Sequence, residues 1–212
     1  MNVTTILKNE HRVIEQVLVC LERIARDAAT NQKLDGAAAK DAIAFFRNFA
    51  DKCHHGKEEV HLFPALEDRG MPKQGGPLGV MLDEHTQGRS HVRAMDDAID
   101  DAANGDSAAI QQFARHAQAY ILLLGQHIHK EDHCLFAMAD GLLSEADQLA
   151  LLNTFEHVER DEMGEGTHEK FHAIADQLAE KYGVTKAEVV SEGGHAPFTC
   201  SHHQKPAPAE TN

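Results

Sequence analysis

The amino-acid sequence predicts an all-α protein, and three observations support this prediction. The 212 residues are rich in Ala, Leu, Glu and Asp and include no Trp, two Tyr and six Pro, a composition that favours helices. Long segments repeat apolar residues every three or four positions, as amphipathic helices do. A two-helix unit also occurs twice. At this length, one domain with a substantial core is expected.

The first two helices are predicted over residues 3–30 and 37–68. Apolar residues form a seam along the first helix, and His11 lies on that seam. In the second helix, His54 and Glu58 share a face with several apolar residues. A buried Glu beside a buried His is costly unless a cation or another partner compensates its charge. Both histidines are therefore candidates for more than a structural role.

The third and fourth helices are predicted over residues 78–104 and 108–138. A loop rich in Gly and Pro at 69–77 separates them from the first two helices. The apolar seam of the third helix includes His85, and that of the fourth includes His127. The second pair of helices therefore repeats the pattern of the first pair.

The remaining residues predict a helical extension and a tail. A fifth helix begins near position 144, is interrupted near 164–166, and resumes over 167–182. Apolar residues become sparse after this point, so residues 183–212 are predicted to form a flexible tail.

One short motif appears twice in the chain. The first copy, CHHGKEEVHLFP, begins at position 53, and the second, QHIHKEDHCLF, begins at position 126. Aligning the copies pairs His54 with His127 and Glu58 with Glu131. The Leu-Phe dipeptides at the ends of the motifs coincide in the same alignment.

A Glu-His pair precedes each copy of the motif at nearly the same distance. His11 of the first pair lies 43 residues before His54, and His85 of the second pair lies 42 residues before His127. Agreement over this many positions indicates the duplication of a two-helix unit.

The spacing within the motif predicts a metal site. A His and a Glu four positions apart lie one helical turn from each other on the same face, where both can reach one point. Two such faces and two single histidines supply four nitrogens and two carboxylates, a set that suits iron or manganese better than zinc or calcium. The candidate metal ligands are His11, His54, Glu58, His85, His127 and Glu131.

Composition and charge exclude several classes of function. The formal net charge of −14 argues against a nucleic-acid partner, because no basic stripe is present. The longest uncharged apolar run, 120–124, is too short to span a bilayer, and the first residues lack a secretory pattern. The four Cys residues form no CxxC motif, which favours reduced thiols and a cytoplasmic location. The sequence identifies no protein partner.

A competing interpretation is a zinc metalloprotease. His168, Glu169 and His172 match HExxH, in which two histidines bind zinc and the glutamate is the general base. Glu192 lies at a suitable distance to act as a third ligand. However, so short a motif arises easily by chance in a chain rich in His and Glu. A bundle without metal is a further alternative, but it leaves six inward polar groups unexplained.

The duplicated pattern resembles the hemerythrin-like family, specifically its HHE cation-binding type. The family pattern is a His, an HxxxE motif followed by acidic residues and Leu-Phe-Pro, another His, and a second HxxxE. The resemblance covers residues 1–140, and the MGEGTHEKFH segment is similar to the helical extension of such proteins.

The resemblance implies a fold and a cofactor. The expected fold is an up-down-up-down four-helix bundle at 1–140, with the helical extension at 141–182 packed on it and the tail at 183–212. The expected cofactor is a pair of non-haem iron ions joined by an oxo or hydroxo bridge. Glu58 and Glu131 would bridge the two ions, and each ion would take two histidines.

This chain departs from the oxygen-carrying hemerythrins at two positions. The carriers have a second His four residues after the third-helix His, where this chain has Arg89. Carriers also end in HxxxxD, and Asp132 lies five residues after His127. Positions four apart differ by about 40° around a helix, whereas positions five apart differ by about 140°. Asp132 is therefore expected to face away from His127, leaving Glu131 as the ligand.

Two further expectations concern neighbouring residues. Regular helix geometry points His55 and His61 away from the ligand face, towards the surface or an outer shell. Arg89 either directs its positive charge towards the site or extends to solvent.

These departures favour reaction with small ligands over reversible oxygen carriage. An open coordination position suits binding, sensing or handling of oxygen, peroxide, nitric oxide or iron. The alternative is a di-iron enzyme that consumes peroxide or nitric oxide or serves iron-centre repair. Repair proteins of this type carry an additional Cys-bearing domain, for which there is no room before His11. The sequence alone does not decide between sensor, carrier and enzyme.

Overall fold

The computed structural model describes residues 2–158, 160 and 166–185, and in these ranges the ordered elements are all helices. This confirms the predicted all-α class. The predicted tail lies outside the described residues from position 186 onward. The helices are α1 (Val3–Asn31), α2 (36–68), α3 (Pro77–Ala103), α4 (107–142), α5 (Glu145–His157) and α6 (Thr167–Tyr182).

Side-chain caps explain where three of the long helices begin. Asn2 accepts a hydrogen bond from the Thr5 amide at 3.0 Å at the start of α1. Asp35 caps α2 in the same way, and Asp106 caps α4. A cap of this kind stabilises a helix by about 1 kcal/mol. The predicted starts agree with the structure to within about a residue, but α4 continues to position 142 and not 138.

The four long helices form a closed ring of contacts. α1 packs against α2 and α4, and α3 packs against the same two helices. Short connections join α1 to α2 and α3 to α4, so the partners of each pair run in opposite directions. This arrangement is consistent with the predicted four-helix bundle. α6 packs across α1 and α2.

The buried apolar residues form two clusters separated along the helices by a polar layer. On α1, His11 lies between Leu7 of the smaller cluster and Ile14 of the larger cluster. The same order, with candidate ligands between the two clusters, holds on α2, α3 and α4. The candidate site is therefore enclosed by apolar packing above and below.

Two helices contain π-helical turns, which regular helix geometry does not anticipate. In α2 these turns cover Phe46–His55 and Glu58–Leu62, and in α4 they cover Glu131–Leu135. Turns of this kind often occur at functional sites. All three segments lie at or beside the candidate ligands.

The π-helical turn occupies the same place in both repeats. The Phe63 amide donates to the Glu58 carbonyl, and the Phe136 amide donates to the Glu131 carbonyl. Each bond spans five residues, so each helix widens directly after its candidate glutamate. The sequence duplication therefore extends to a backbone irregularity.

None of the described helices is both long and apolar enough to cross a membrane.

The contribution of α6 to stability can be tested at Phe171. This side chain is 5% exposed within the larger apolar cluster, with its ring perpendicular to that of Phe45. We expect Phe171→Ala to lower the free energy of unfolding by about 3–5 kcal/mol, as for other buried Phe side chains. Urea denaturation followed by circular dichroism measures the change.

The control is Glu169→Ala, two residues earlier on the exposed face of α6. It should alter the free energy of unfolding by less than about 0.5 kcal/mol. If Phe171→Ala had as small an effect, α6 would not unfold together with the four long helices.

Candidate metal centre

The structure brings all six predicted ligands together in the polar layer. Their side chains come from all four long helices, and each residue is at most 1% exposed. The potential ligand atoms form two groups, and within each group they lie within 4.8 Å of one another. The first group contains His11, His54, Glu58 and Glu131, and the second contains His55, Glu58, His85 and His127.

The histidines are paired at a separation that fits a shared metal ion. The Nε2 atoms of His11 and His54 are 2.9 Å apart, and those of His85 and His127 are 3.1 Å apart. Two nitrogens bound at about 2.1 Å and at right angles on one ion would be about 3.0 Å apart. The spacing of both pairs therefore suits two ligands on neighbouring positions of one ion.

Each of the two glutamates lies between a histidine of one pair and a histidine of the other. Oε2 of Glu131 is 3.2 Å from Nε2 of both His11 and His127. The Glu58 oxygens are 3.7 Å from His54 Nε2 and 3.5 Å from His85 Nε2. Both carboxylates therefore connect the two histidine pairs.

The four carboxylate oxygens of these glutamates are fully buried. Within the described part of the chain, none of the four has a hydrogen-bond partner of acceptable geometry. Buried carboxylates without partners are strongly unfavourable, and buried charges in proteins are paired or bind metals. The donor set therefore fits a pair of cations.

An outer carboxylate faces the second ring nitrogen of every one of these histidines. Such a carboxylate fixes the proton on Nδ1, so that the Nε2 lone pair faces inward. The Nδ1–carboxylate distances are 2.8 Å for His54–Glu10, 3.0 Å for His127–Glu84, 2.7 Å for His11–Asp132 and 2.7 Å for His85–Glu59.

The outer shell repeats the duplication with one difference. Glu10 also contacts the Lys57 ammonium, and Glu84 contacts the Lys130 ammonium at the equivalent place. The Lys57 side chain is completely buried, however, whereas that of Lys130 is 38% exposed. Although burial opposes ionisation, Lys57 and His54 lower the pKa of Glu10 to about 2.

Two effects shift the pKa values of the candidate ligands: their burial and the negative charge of the Glu131 carboxylate. Burial lowers the pKa of His54 to about 4 and that of His85 to about 3. Burial alone would lower the pKa of His127, but Glu131 raises it to about 9. Burial and the adjacent Glu131 carboxylate raise the pKa of Glu58. A bound cation would replace the protons that such groups otherwise share.

Asp132 is turned away from His127, as helix geometry predicts. It receives the Nδ1–H of His11 at 2.7 Å and also contacts the Arg12 guanidinium. Asp132 therefore belongs to the outer carboxylates, in the same role that Glu59 has for His85. The sequence did not indicate this partnership with α1.

Arg89 lies beside the site, and its side chain is 38% exposed. Its guanidinium donates to Asp51 at 2.8 Å and to Glu59 at 2.7 Å. These two carboxylates neutralise its charge beside the site. Because Glu59 in turn accepts from His85, Arg89 helps to hold that imidazole in place.

His55 contradicts the prediction that it points to the surface or an outer shell. It is 5% exposed and belongs to the second ligand group. The physical reason lies in the backbone, since Phe46–His55 is π-helical and successive residues turn less far around the axis. His54 and His55 therefore both face the interior. His61, by contrast, is half-buried and belongs to neither ligand group.

A cavity of about 300 Å³ opens beside the second ligand group. It reaches His55, His85 and His127, but not His11 or His54. Apolar residues form one part of its wall, and charged residues form another; the apolar part includes Phe46, Gly88, Val92, Tyr120 and Leu124, and the charged part Arg47, Asp51, Glu84, Arg89 and Arg93. A small molecule in this cavity would therefore reach the second ligand group directly.

The HExxH residues are separate from both ligand groups. The rings of His168 and His172 pack against Phe49, with centroids 5.2 and 5.4 Å away. Glu169 is exposed on α6, and Glu192 lies outside the described residues. Among the described residues, neither cluster able to hold a metal includes this motif.

The unequal burial of the two lysines predicts unequal effects of two equivalent substitutions. Glu10→Gln removes a buried carboxylate that contacts both the fully buried Lys57 ammonium and Nδ1 of His54, so we expect a loss of about 3 kcal/mol in the free energy of unfolding. Glu84→Gln affects the partly exposed Lys130, and we expect about 0.2–1 kcal/mol. Urea denaturation of the metal-free proteins provides the comparison.

Equal losses in these two variants would contradict the prediction, because the duplicated positions differ mainly in the burial of their lysines.

The chain is similar to uncharacterized proteins of Mycobacterium bovis and Mycobacterium tuberculosis. The identity is 26% over 174 residues in each case. This alignment covers 82% of the chain but 66% of the relatives, so the chain spans slightly less than two thirds of their length. No solved structure matches the chain significantly.

The family comparison agrees with the arrangement of the site. The Hemerythrin HHE cation binding domain matches residues 2–139, which include the four long helices up to the last turn of α4 and all of the candidate ligands. The chain therefore belongs to the hemerythrin HHE cation-binding domain family.

Proposed function

We propose that this protein binds two iron ions and uses them to bind, sense or transform oxygen, peroxide or nitric oxide. The observation that carries the proposal is the pair of buried glutamates whose four oxygens lack hydrogen-bond partners within the described chain. Each glutamate lies between the two histidine pairs, as expected for bridging ligands.

The proposed ligands divide evenly between the two ions. His11 and His54 hold the first ion, His85 and His127 hold the second, and Glu58 and Glu131 bridge them. A donor set of imidazoles and carboxylates favours iron or manganese, and carboxylate-bridged metal pairs are well suited to helix bundles. An oxo or hydroxo bridge would complete the centre.

The proposed domain organisation follows the family match. Residues 1–140 form the metal-binding, up-down-up-down four-helix bundle, and residues 141–182 form a helical extension packed on it. The predicted tail at 183–212 lies outside the described residues from position 186 onward. The family match over 2–139 and the packing of α6 on α1 and α2 support this division. We place the protein in the cytoplasm, where its thiols would stay reduced.

The cavity supports a small, uncharged ligand as the molecule that reaches the iron. Its apolar wall favours oxygen or nitric oxide over a strongly hydrated anion. Two of the arginines that line the cavity are paired with carboxylates, Arg89 with Asp51 and Glu59 and Arg47 with Asp96. Peroxide, which carries no charge at pH 7, can use the same route.

The reduced protein is expected to be oxidised by oxygen and not to form a stable oxygen adduct. Iron supplies the electrons when it is bound. The chain contributes a buried layer, inward-facing imidazoles, and an approach through the cavity. Because the cavity is open to the second histidine pair, consumption of peroxide or nitric oxide by the same centre is the second candidate function.

The ligand assignment predicts the metal content of a double variant. The protein purified without added metal should contain two metals per chain, mainly iron, as measured by inductively coupled plasma mass spectrometry. Removing one histidine from each pair, in His54→Ala/His127→Ala, should abolish binding of both ions, because each ion loses one of its imidazole ligands. The oxo-bridge absorption of the oxidised protein should disappear with them.

The matched control is His91→Ala/His116→Ala, since these two histidines form a pair of nitrogens 3.0 Å apart outside the site. It should keep both ions. Retention of both ions by the first double variant would refute the assignment. A single tightly bound zinc that is lost in His168→Ala would support the metalloprotease.

The approach through the cavity predicts a slower reaction in Gly88→Leu. A Cβ atom at this position would already lie 3.3 Å from the Tyr120 ring, so a larger side chain fills the passage. Stopped-flow mixing of the reduced protein with oxygen should show oxidation slowed roughly tenfold or more, equivalent to about 1.4 kcal/mol in the barrier. Gly88→Ala should have a smaller effect.

Gly125→Leu provides the control, because this helical glycine has open space around its Cβ position. Its oxidation rate should be that of the unmodified protein. An unchanged rate in Gly88→Leu with intact iron content would show that oxygen enters elsewhere. A persistent adduct that releases oxygen under vacuum would contradict the expected oxidation.

A further inference from the structure

We infer that His55 is a fifth histidine ligand, bound to the second ion through Nε2. This inference rests on the proposed pair of metal ions, and it makes the two ions unequal. The first ion is held by two imidazoles, and the second by three. The duplicated motif does not suggest this asymmetry, because His55 lies outside the HxxxE pattern.

The first argument is that His55 is buried with an unused nitrogen. The residue is 5% exposed, and within the described chain its Nε2 atom has no hydrogen-bond partner. That atom belongs to a group with ligand atoms of Glu58, His85 and His127, all within 4.8 Å of one another. Besides His55, the orphaned atoms within the two ligand groups are the oxygens of Glu58 and Glu131.

The second argument is that His55 has the outer carboxylate that the other four histidines have. Its Nδ1 lies 3.3 Å from Oδ1 of Asp51. Asp51 is itself fixed by Arg89 at 2.8 Å. The carboxylate places the proton on Nδ1, so the Nε2 lone pair is free to bind a cation.

The third argument is the difference between the two repeats. The position equivalent to His55 in the second repeat is Ile128, which is buried and apolar. In the second repeat this buried position is filled by the apolar side chain of Ile128. Packing alone therefore does not require an imidazole at the same position in the first repeat. The histidine therefore has a role that the isoleucine cannot have.

The position of the His55 ring sets a condition on binding. The ring is stacked on His85, with centroids 3.8 Å apart and planes at 16°. The lone pair of an imidazole nitrogen lies in the ring plane, so two stacked rings cannot both direct their lone pairs at one ion. We therefore expect the His55 ring to tilt relative to His85 when the ion binds.

The assignment also gives Arg89 a place in the centre. Where an additional ligand would stand in oxygen carriers, this chain has an arginine whose guanidinium holds Asp51. Asp51 in turn faces His55. The third imidazole of the second ion thus comes from His55 on α2. Arg89 on α3 orients this imidazole indirectly, because it holds the Asp51 carboxylate that faces Nδ1 of His55.

The test is X-ray absorption spectroscopy of the iron-loaded protein. The extended X-ray absorption fine structure of the unmodified protein should be fitted best by five imidazole ligands per pair of iron ions. These ligands correspond to the five inward-facing histidines. In His55→Ile, which introduces the residue of the second repeat, the fit should fall to four while two irons remain bound. Mössbauer spectra of the oxidised protein should show two unequal sites that become more alike in the variant.

His91→Ile is the control, since this histidine lies outside both ligand groups, and its imidazole count should remain at five. A count of four in the unmodified protein, with two irons bound, would overturn the His55 assignment while leaving the proposed function intact. Failure of the unmodified protein to bind two irons would refute the proposed function itself. If His55→Ile did not fold, the number of imidazole ligands found in the unmodified protein would still decide whether His55 is a ligand.

Discussion

The burial of two glutamates between the histidine pairs is the constraint on which the rest of the structure depends. Glu58 and Glu131 lie completely within the protein, and within its described part their oxygens make no hydrogen bonds. Two adjacent carboxylates in a medium of low dielectric repel each other and lose their hydration. A fold that places them there is stabilised by positive charge between the histidine pairs, which the two proposed cations would supply.

Layers of alternating charge surround this centre. The inner imidazoles are each backed by a carboxylate, and these carboxylates are in turn held by cationic side chains from neighbouring helices. Lys57 holds Glu10, Arg12 holds Asp132, and Arg89 holds Glu59. Each layer fixes the orientation of the one inside it, which limits the rotation of the imidazoles before any ion binds.

Sequence reasoning succeeded where a feature depends on periodicity and failed where it depends on backbone irregularity or on contacts between helices. The helices and the convergence of the six predicted residues follow from apolar spacing and from the duplication. His55 was misplaced because a uniform turn of about 100° per residue does not hold in a π-helical segment. The partners of Asp132 and Arg89 lie on other helices, and no spacing within a single helix specifies them.

The shared π-helical turn has a consequence for the origin of the chain. A backbone irregularity that begins at the glutamate in both halves is most simply explained if it was already present in a single ancestral unit of two helices. Such a unit carries half of the ligands and cannot enclose an ion pair alone. Two copies related by a twofold axis could do so, as in symmetric homodimers. The two halves differ today at equivalent positions, since Lys57 is buried where Lys130 is partly exposed, and His55 corresponds to Ile128.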